Sequence, residues 1–360
     1  MKVDRLNLLK TLSEVNGIPG FEGDVRKLIS KHVEGKCELQ TDNLGSLICA
    51  KTGASDGPKI MIPAHMDEIG FMVHVITDEG FIRFIPMGGW WDQVLLGQRV
   101  QIKTSHGMVT GVIGSKPPHI LKEEERSKVV KKDTMFIDVG ATSKAQAMDE
   151  FHIRPGDPIF PVSQFEVLAS GKVVAGKAWD DRAGCAALVE LIHRLQGQAH
   201  PNTVYAAATV QEEVGLRGAK TSTAVVSPDI GIALDVGIAG DMPGVKPEES
   251  PLRLGEGPVL YVADGSVIAH SGLRRFVIAV AEELRIPLQF AALLGGGTDA
   301  GEMHLFGAGV PSLSLGVPVR YVHAHTGLMH LDDYENLIKL LEGLVMRLDW
   351  DAVNEIKRGE

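Results

Sequence analysis

Five side chains able to hold a metal stand where apolar runs end in this chain. They are His65 in AHMDEIG, Asp180 in WDDRAGC, Glu213 in VQEEVG, Asp235 in ALDVG and His323 in RYVHAH. A strand delivers its last residues to the rim of a sheet, where open α/β sheets build their sites. Three carboxylates and two imidazoles gathered at such rims form a ligand set for a pair of divalent cations.

Each motif also has a plainer reading. His65 and Asp67 are two apart, so on extended backbone they project to one side, and the carboxylate can accept the imidazole's spare N–H. The alternative is a surface pair beside a turn. The adjacent aspartates of WDDRAG precede a helical pattern. One carboxylate can bridge two cations, but Asp180 or Asp181 also suits a helix N-cap. Glu212 and Glu213 would face opposite ways on an ideal strand and share a site only if the chain bends there, which Gly215 permits; one would then hold metal while the other reaches its water. Asp235 is the sole charge in IGIALDVG, and an unpaired buried carboxylate costs roughly several kcal/mol. Its bland alternative is a turn cap at Gly237. His323 and His325 share a strand face in this pattern, so spacing does not choose between them. GGGTD (295–299) lacks both phosphate-loop spacings; Thr298 or Asp299 facing a substrate pocket fits it better.

The elements that must carry these residues follow from periodicity. Helical patterns at 4–15 and 23–33 flank the turn NGIPGFEG, and the strands SLICAK and PKIMIPAH follow. From Phe71 the texture turns to short β runs between glycines: FMVHVI, FIRFIP, RVQIK, MVTGVIG and TMFIDVG. They suggest a small all-β insert, with 116–132 its most loop-like part. Beyond Val173, helices and apolar strands alternate again: a helix over 183–195, TVYAAATVQEE, a helix near 218–226, IGIALDVG, FVIAVAEEL, PLQFAALL, PSLSLGV and a long helix from Asp333. This is the signature of a layered α/β sheet covered on both faces. The expected division is a catalytic α/β domain over 1–70 and 164–360, split by a β domain over 71–163.

Composition narrows the partners. The 360 residues include 46 acidic and 36 basic side chains, a net charge of −10, which argues against nucleic acid or an anionic membrane. The short KVVKK run (128–132) reads as a solvated loop or strand. Three scattered cysteines without CxxC spacing suit a reducing compartment. The N-terminal stretch lacks a signal-peptide core, and no run approaches a membrane span, so a cytoplasmic location is expected.

With these motifs in this order, the chain resembles the M42 family of metallo-aminopeptidases, the tetrahedral, glutamyl and deblocking group. The likeness runs from NGIPGFEGDVR through AHMDEIGFMV, GQRV, AWDDRAGC, QEEVGLRGA, ALDVG and GGGTDAG to RYVHA. It implies a three-layer αβα metallopeptidase domain with a PDZ-like dimerisation insert. It implies two divalent ions (Zn, Co or Mn): His65 and Asp235 on one, Glu213 and His323 on the other, and Asp180 bridging. The family pattern favours His323 over His325. Glu212 would be the general base for a metal-bridging water, and Asp67 would orient His65. Substrates would be short peptides with a free N-terminus. Self-association into dimers and twelve-subunit shells is also implied. Three rivals remain at this stage. A di-metal amidase or deacylase would act on acylated amino acids. A glycoside hydrolase, the endoglucanase-type label some relatives carry, would need sugar-stacking aromatics, which are only 5% here. A non-catalytic assembly protein would keep the fold and lose the site.

Overall fold

The computed structural model describes residues 3–293 and 295–359. Met1 and Lys2, at the chain's start, Leu294, at the end of PLQFAALL, and Glu360 lie outside the described residues. Helix α1 (Arg5–Glu14) buries Leu8, Leu9 and Leu12, and the Asp4 carboxylate caps it by accepting from the Asn7 N–H at 3.2 Å. Helix α2 (Gly23–Val33) buries Val25, Ile29 and Val33, one stripe at four-residue spacing. Strands β1 (Glu38–Thr41), β2 (Leu47–Thr52) and β3 (Lys59–His65) follow.

The chain then enters a closed six-stranded barrel. Its strands are β4 (Gly70–Ile76), β5 (Ile82–Met87), β6 (Arg99–Thr104), β7 (Gly107–Gly114), β8 (Phe136–Asp138) and β9 (Pro158–Pro161), in the order β4-β5-β8-β7-β6-β9. The five β runs read from sequence are its first five strands. The sixth, PIFP, begins and ends on proline and gives no strand signal of its own. It closes the barrel by pairing with β4 at Phe71↔Ile159 and with β6 at Val100↔Pro161. Phe71, Phe84, Ile102 and Ile159 fill the interior, with Trp90 stacked on Phe71 at 4.8 Å. The loop between β7 and β8 carries only one-turn pieces, among them α3 (Glu123–Arg126).

Beyond the barrel come β10 (Glu166–Val167), β11 (Val173–Gly176), α4 (Trp179–Arg194), β12 (Thr203–Thr209), α5 (Arg217–Val226), β13 (Ile230–Ile238), β14 (Val259–Ala263), α6 (Ser271–Glu283), β15 (Gln289–Ala292), α7 (Ala300–Met303), β16 (Ser312–Arg320), β17 (Gly327–His330), α8 (Leu331–Val345) and α9 (Trp350–Arg358). These rejoin the first three strands in one sheet ordered β1-β2-β12-β3-β13-β16-β17-β11-β10, with β14 and β15 branching from β16. Its centre, β12-β3-β13-β16, is parallel. Apolar residues of α1, α2, α4, α6 and α8 cover one face, and those of α5 and α7 cover the other. Mixed α/β layering is thus as expected. The strands SLICAK and PKIMIPAH are not neighbours, because β12 inserts between them. One local expectation is not met. The long C-terminal helix is two helices: the chain breaks after Val345, and the Asp349 carboxylate caps α9 by accepting from the Ala352 N–H at 2.9 Å. Among the described residues no helix is long and apolar enough to cross a membrane.

Candidate active site

The C-terminal ends of the parallel strands bring the expected side chains together. His65, the last residue of β3, sets Nε2 at 2.9 Å from Asp180 Oδ1. The other oxygen, Asp180 Oδ2, lies 3.3 Å from His323 Nε2, which is itself 3.2 Å from Glu213 Oε1. Two triplets of donor atoms could each hold a metal ion, His65–Asp180–Asp235 and Asp180–Glu213–His323, and Asp180 belongs to both. Glu212 Oε2 approaches His65 Nε2 at 3.8 Å, beside the shared carboxylate.

The local backbone explains how neighbours in sequence reach different places. Asp180 and Asp181 sit at the head of α4 with non-helical dihedrals across a cis peptide bond. Asp181 turns inward and accepts from the Gly184 N–H at 3.0 Å, the N-cap bond, which leaves Asp180 to the cluster. A Cβ at Gly184 would fall 2.3 Å from that Asp181 carboxylate, so glycine is required there. Strand β12 ends at Thr209, and Gln211 takes a left-handed φ of +56°, so Glu212 and Glu213 lie on a turn and both enter the site.

Several expectations need correction. Asp67 is not on the strand with His65: β3 stops at His65, and Nδ1 meets the Asp67 backbone carbonyl at 2.9 Å while the carboxylate is 3.8 Å away. That carboxylate instead accepts from the backbone N–H groups of Glu212 and Glu213, at 3.0 and 3.1 Å. It orients the glutamates, and its carbonyl orients the imidazole. Asp235 stands three residues inside β13 rather than at its end. His323 and His325 share no strand face, since β16 ends at Arg320 and the chain turns through Tyr321 and His323 with φ of +62° and +58°. His325 is buried 5.1 Å from the Trp90 ring, away from the cluster, with both ring nitrogens unpaired among the described residues. Thr298 lines the cleft above the cluster, with its hydroxyl bonded to Asp264 and Ser314. Asp299 is buried: Oδ2 accepts from the Thr209 hydroxyl at 2.5 Å, and Oδ1 has no partner among the described residues. Gly295, Gly296 and Gly297 line the same cleft.

Electrostatics mark the cluster as short of positive charge. Burial pushes Glu212 and Asp235 well above the usual carboxylate range, and neighbouring carboxylates add to the shift. Glu213 is raised for the same reasons. In spite of its burial, Asp180 is held below that range by its hydrogen bonds to His323 and His65. His323 is driven up to about 11, against the effect of burial, by Asp180 and Glu213. Four carboxylates share two imidazoles, and the donors are hard oxygens and imidazole nitrogens, the set that suits two divalent cations.

Residues not anticipated from sequence complete the site. The barrel loop MGGWW leans over it: a Cβ at Gly88 would meet Glu213 Oε2 at 3.0 Å, and one at Gly89 would meet His323 Nδ1 at 3.0 Å. Two glycines before two tryptophans were the available signal. Arg182 is fully buried and donates to the carbonyls of Met66, Leu12, Val15 and Gly17, at 2.6 to 3.2 Å. It ties the head of α4 to the end of β3. The Glu22 carboxylate accepts from the N–H groups of Gly20 and Gln211, at 2.8 and 3.1 Å, bracing the glutamate turn from the other side.

Comparison with known proteins agrees with this geometry. Residues 45–340 match the family model described as M42 glutamyl aminopeptidase. The chain is 40% identical to the putative aminopeptidase FrvX of Escherichia coli strain K12, over 97% of both chains. Its structure superposes with a TM-score of 0.96 on the TET aminopeptidase of a marine-sediment Thaumarchaeota archaeon, at 48% identity over 98% of both chains. A second solved relative, the TET1 peptidase of Pyrococcus horikoshii, is 36% identical with a TM-score of 0.86 over 96% of this chain and 100% of that one, and is described as assembling into a tetrahedron or a large octahedral shell. This chain belongs to the M42 peptidase family, hydrolases that act on peptides as aminopeptidases.

Proposed function

We propose that the chain removes N-terminal residues from peptides at a two-cation centre, with Glu212 as general base. The observation that carries this reading is the pair of donor triplets sharing Asp180, with Glu212 alongside at 3.8 Å from His65. His65 and Asp235 would hold one ion, Glu213 and His323 the other, and Asp180 both. When bound, such ions supply Lewis acidity to the scissile carbonyl and lower the pKa of water from about 15.7 toward neutrality. Glu212 takes the proton from the attacking water and returns it to the leaving amine. Asp67 holds the turn so that Glu212 and Glu213 cannot exchange places.

Glu212→Gln tests the assignment. It should bind the same number of metal ions and lose about 10²–10⁴-fold in kcat on a free-amino aminoacyl anilide. Turnover near that of the unmodified chain would remove Glu212 from the role. An N-acetylated version of the same anilide should be resistant, and equal cleavage would favour an amidase instead.

The barrel is the proposed self-association surface. Val75, Ile85, Met108 and Val112 present 41 to 46% of their area to solvent on its strands. Light scattering on the purified chain should return a multiple of 38.7 kDa, and a monomer mass would refute the proposal.

A further inference from the structure

The cleft above the cluster is large, about 1070 Å³, enough for a terminal residue and part of the peptide behind it. Its walls come from several elements. The barrel loop supplies Trp91 and Val94, the end of β13 supplies Ile238, and the segments beyond supply Met242, Leu293 and Tyr321. Apart from the side chains of the metal cluster itself, no described residue lining the cleft carries a charge. Charged groups nearby are already engaged. Arg320, beside Tyr321, is paired with Asp241 at 2.5 Å. Asp264 accepts from the Ser266 and Thr298 hydroxyls and from the Ser266 and Val267 N–H groups. Lys177 lies behind the site, buried against Glu68.

From this lining we infer that the chain is selective for uncharged, apolar N-terminal residues such as leucine and methionine, and discriminates against glutamyl and lysyl termini. A glutamyl carboxylate entering the cleft finds no lysine or arginine among the described lining residues to replace its water. A lysyl ammonium finds no carboxylate other than those committed to metal. An aliphatic side chain loses nothing there and gains the contact of the apolar walls. The family description names a glutamyl activity, and this chain's lining departs from what that activity needs. The inference rests on the aminopeptidase reading above and adds the class of terminal residue to it.

Two measurements test it. On metal-reconstituted protein, kcat/KM for leucyl and methionyl anilides should exceed that for the glutamyl and lysyl anilides by about 100-fold or more. Ile238→Lys should raise the glutamyl-to-leucyl ratio at least about fivefold, the worth of one half-exposed ion pair. Glutamyl or lysyl substrates cleaved as well as leucyl ones by the unmodified chain would overturn the inference. The second measurement is binding of free L-leucine, L-glutamate and L-lysine to the same metal-loaded protein by calorimetry. Leucine should bind at least about tenfold more tightly than either charged amino acid, a difference of about 1.4 kcal/mol. Equal affinities overturn the inference whatever the turnover. Tighter leucine binding without cleavage of any free-amino substrate sustains it and overturns the aminopeptidase reading alone.

Discussion

Two buried charged clusters lie side by side in this molecule and balance their charge in opposite ways. In the first, Glu68 faces Lys177 Nζ at 2.5 Å and an Arg182 nitrogen at 3.6 Å, and Arg182 spends its other donors on backbone carbonyls. One carboxylate meets two cations, so the chain closes the cluster by itself. In the second, Asp180, Glu212, Glu213 and Asp235 share His65 and His323. There the chain leaves negative charge in excess, and burial makes that excess costly unless cations are supplied from outside. The two clusters differ in stoichiometry rather than depth. The balanced one is complete within the chain, and the unbalanced one is the proposed catalytic centre.

That contrast can be broken in three places. The largest effect belongs to Asp180→Ala. Asp180 is common to both donor triplets, so elemental analysis should show both ions lost and peptide hydrolysis should fall to background. His323→Ala should follow it in losing metal, whereas His325→Phe, altering a buried ring that touches Trp90 and no ligand, should keep metal and activity. Loss of metal in His325→Phe would mean that the wrong histidine has been assigned.

Arg182→Met tests the balanced cluster. It strips one cation from Glu68 and takes a donor from four carbonyls, of which Gly17 keeps the Glu68 N–H at 2.8 Å and Val15 keeps Lys177 Nζ at 3.5 Å, so chemical unfolding should show a loss of about 3–5 kcal/mol. A change under about 0.5 kcal/mol, the range of ordinary surface substitutions, would mean that the cluster contributes little to the fold.

Glu22 sharpens the comparison as an intermediate case, a buried carboxylate with backbone donors and no cationic partner among the described residues. Burial, then the charge of Asp67, lift it from 4.5 to about 7. Between those values the native state binds more protons than the unfolded chain, so this group makes stability fall as pH rises from about 4.5 to about 7. Glu22→Gln should flatten that decline in urea midpoints taken at about pH 5 and about pH 7. An unchanged slope would show that the carboxyl titrates normally.

Much of the site was legible in the chain because its candidate ligands interrupt apolar runs, and a charge inside such a run demands a partner. His65, Asp180, Glu213, Asp235 and His323 were found by that rule and do converge. The rule failed where backbone direction decides. His325 looked equivalent to His323 until a left-handed turn separated them. Of Thr298 and Asp299, either of which was expected to face the pocket, Thr298 lines the cleft and Asp299 is buried against Thr209.

What sequence determined by itself was local: helix stripes such as Val25–Ile29–Val33, the alternation of barrel strands, and the chemistry of the ligand types. These depend on contacts within a few residues and on the cost of burying charge. Strand order, the closing of the barrel by a proline-rich strand, and the seating of MGGWW over the ligands were decided only in three dimensions. Each depends on pairing between segments far apart in the chain, and no local pattern encodes which distant partner a segment will meet. The uncharged cleft belongs to the second class, since its walls are single residues gathered from separate elements.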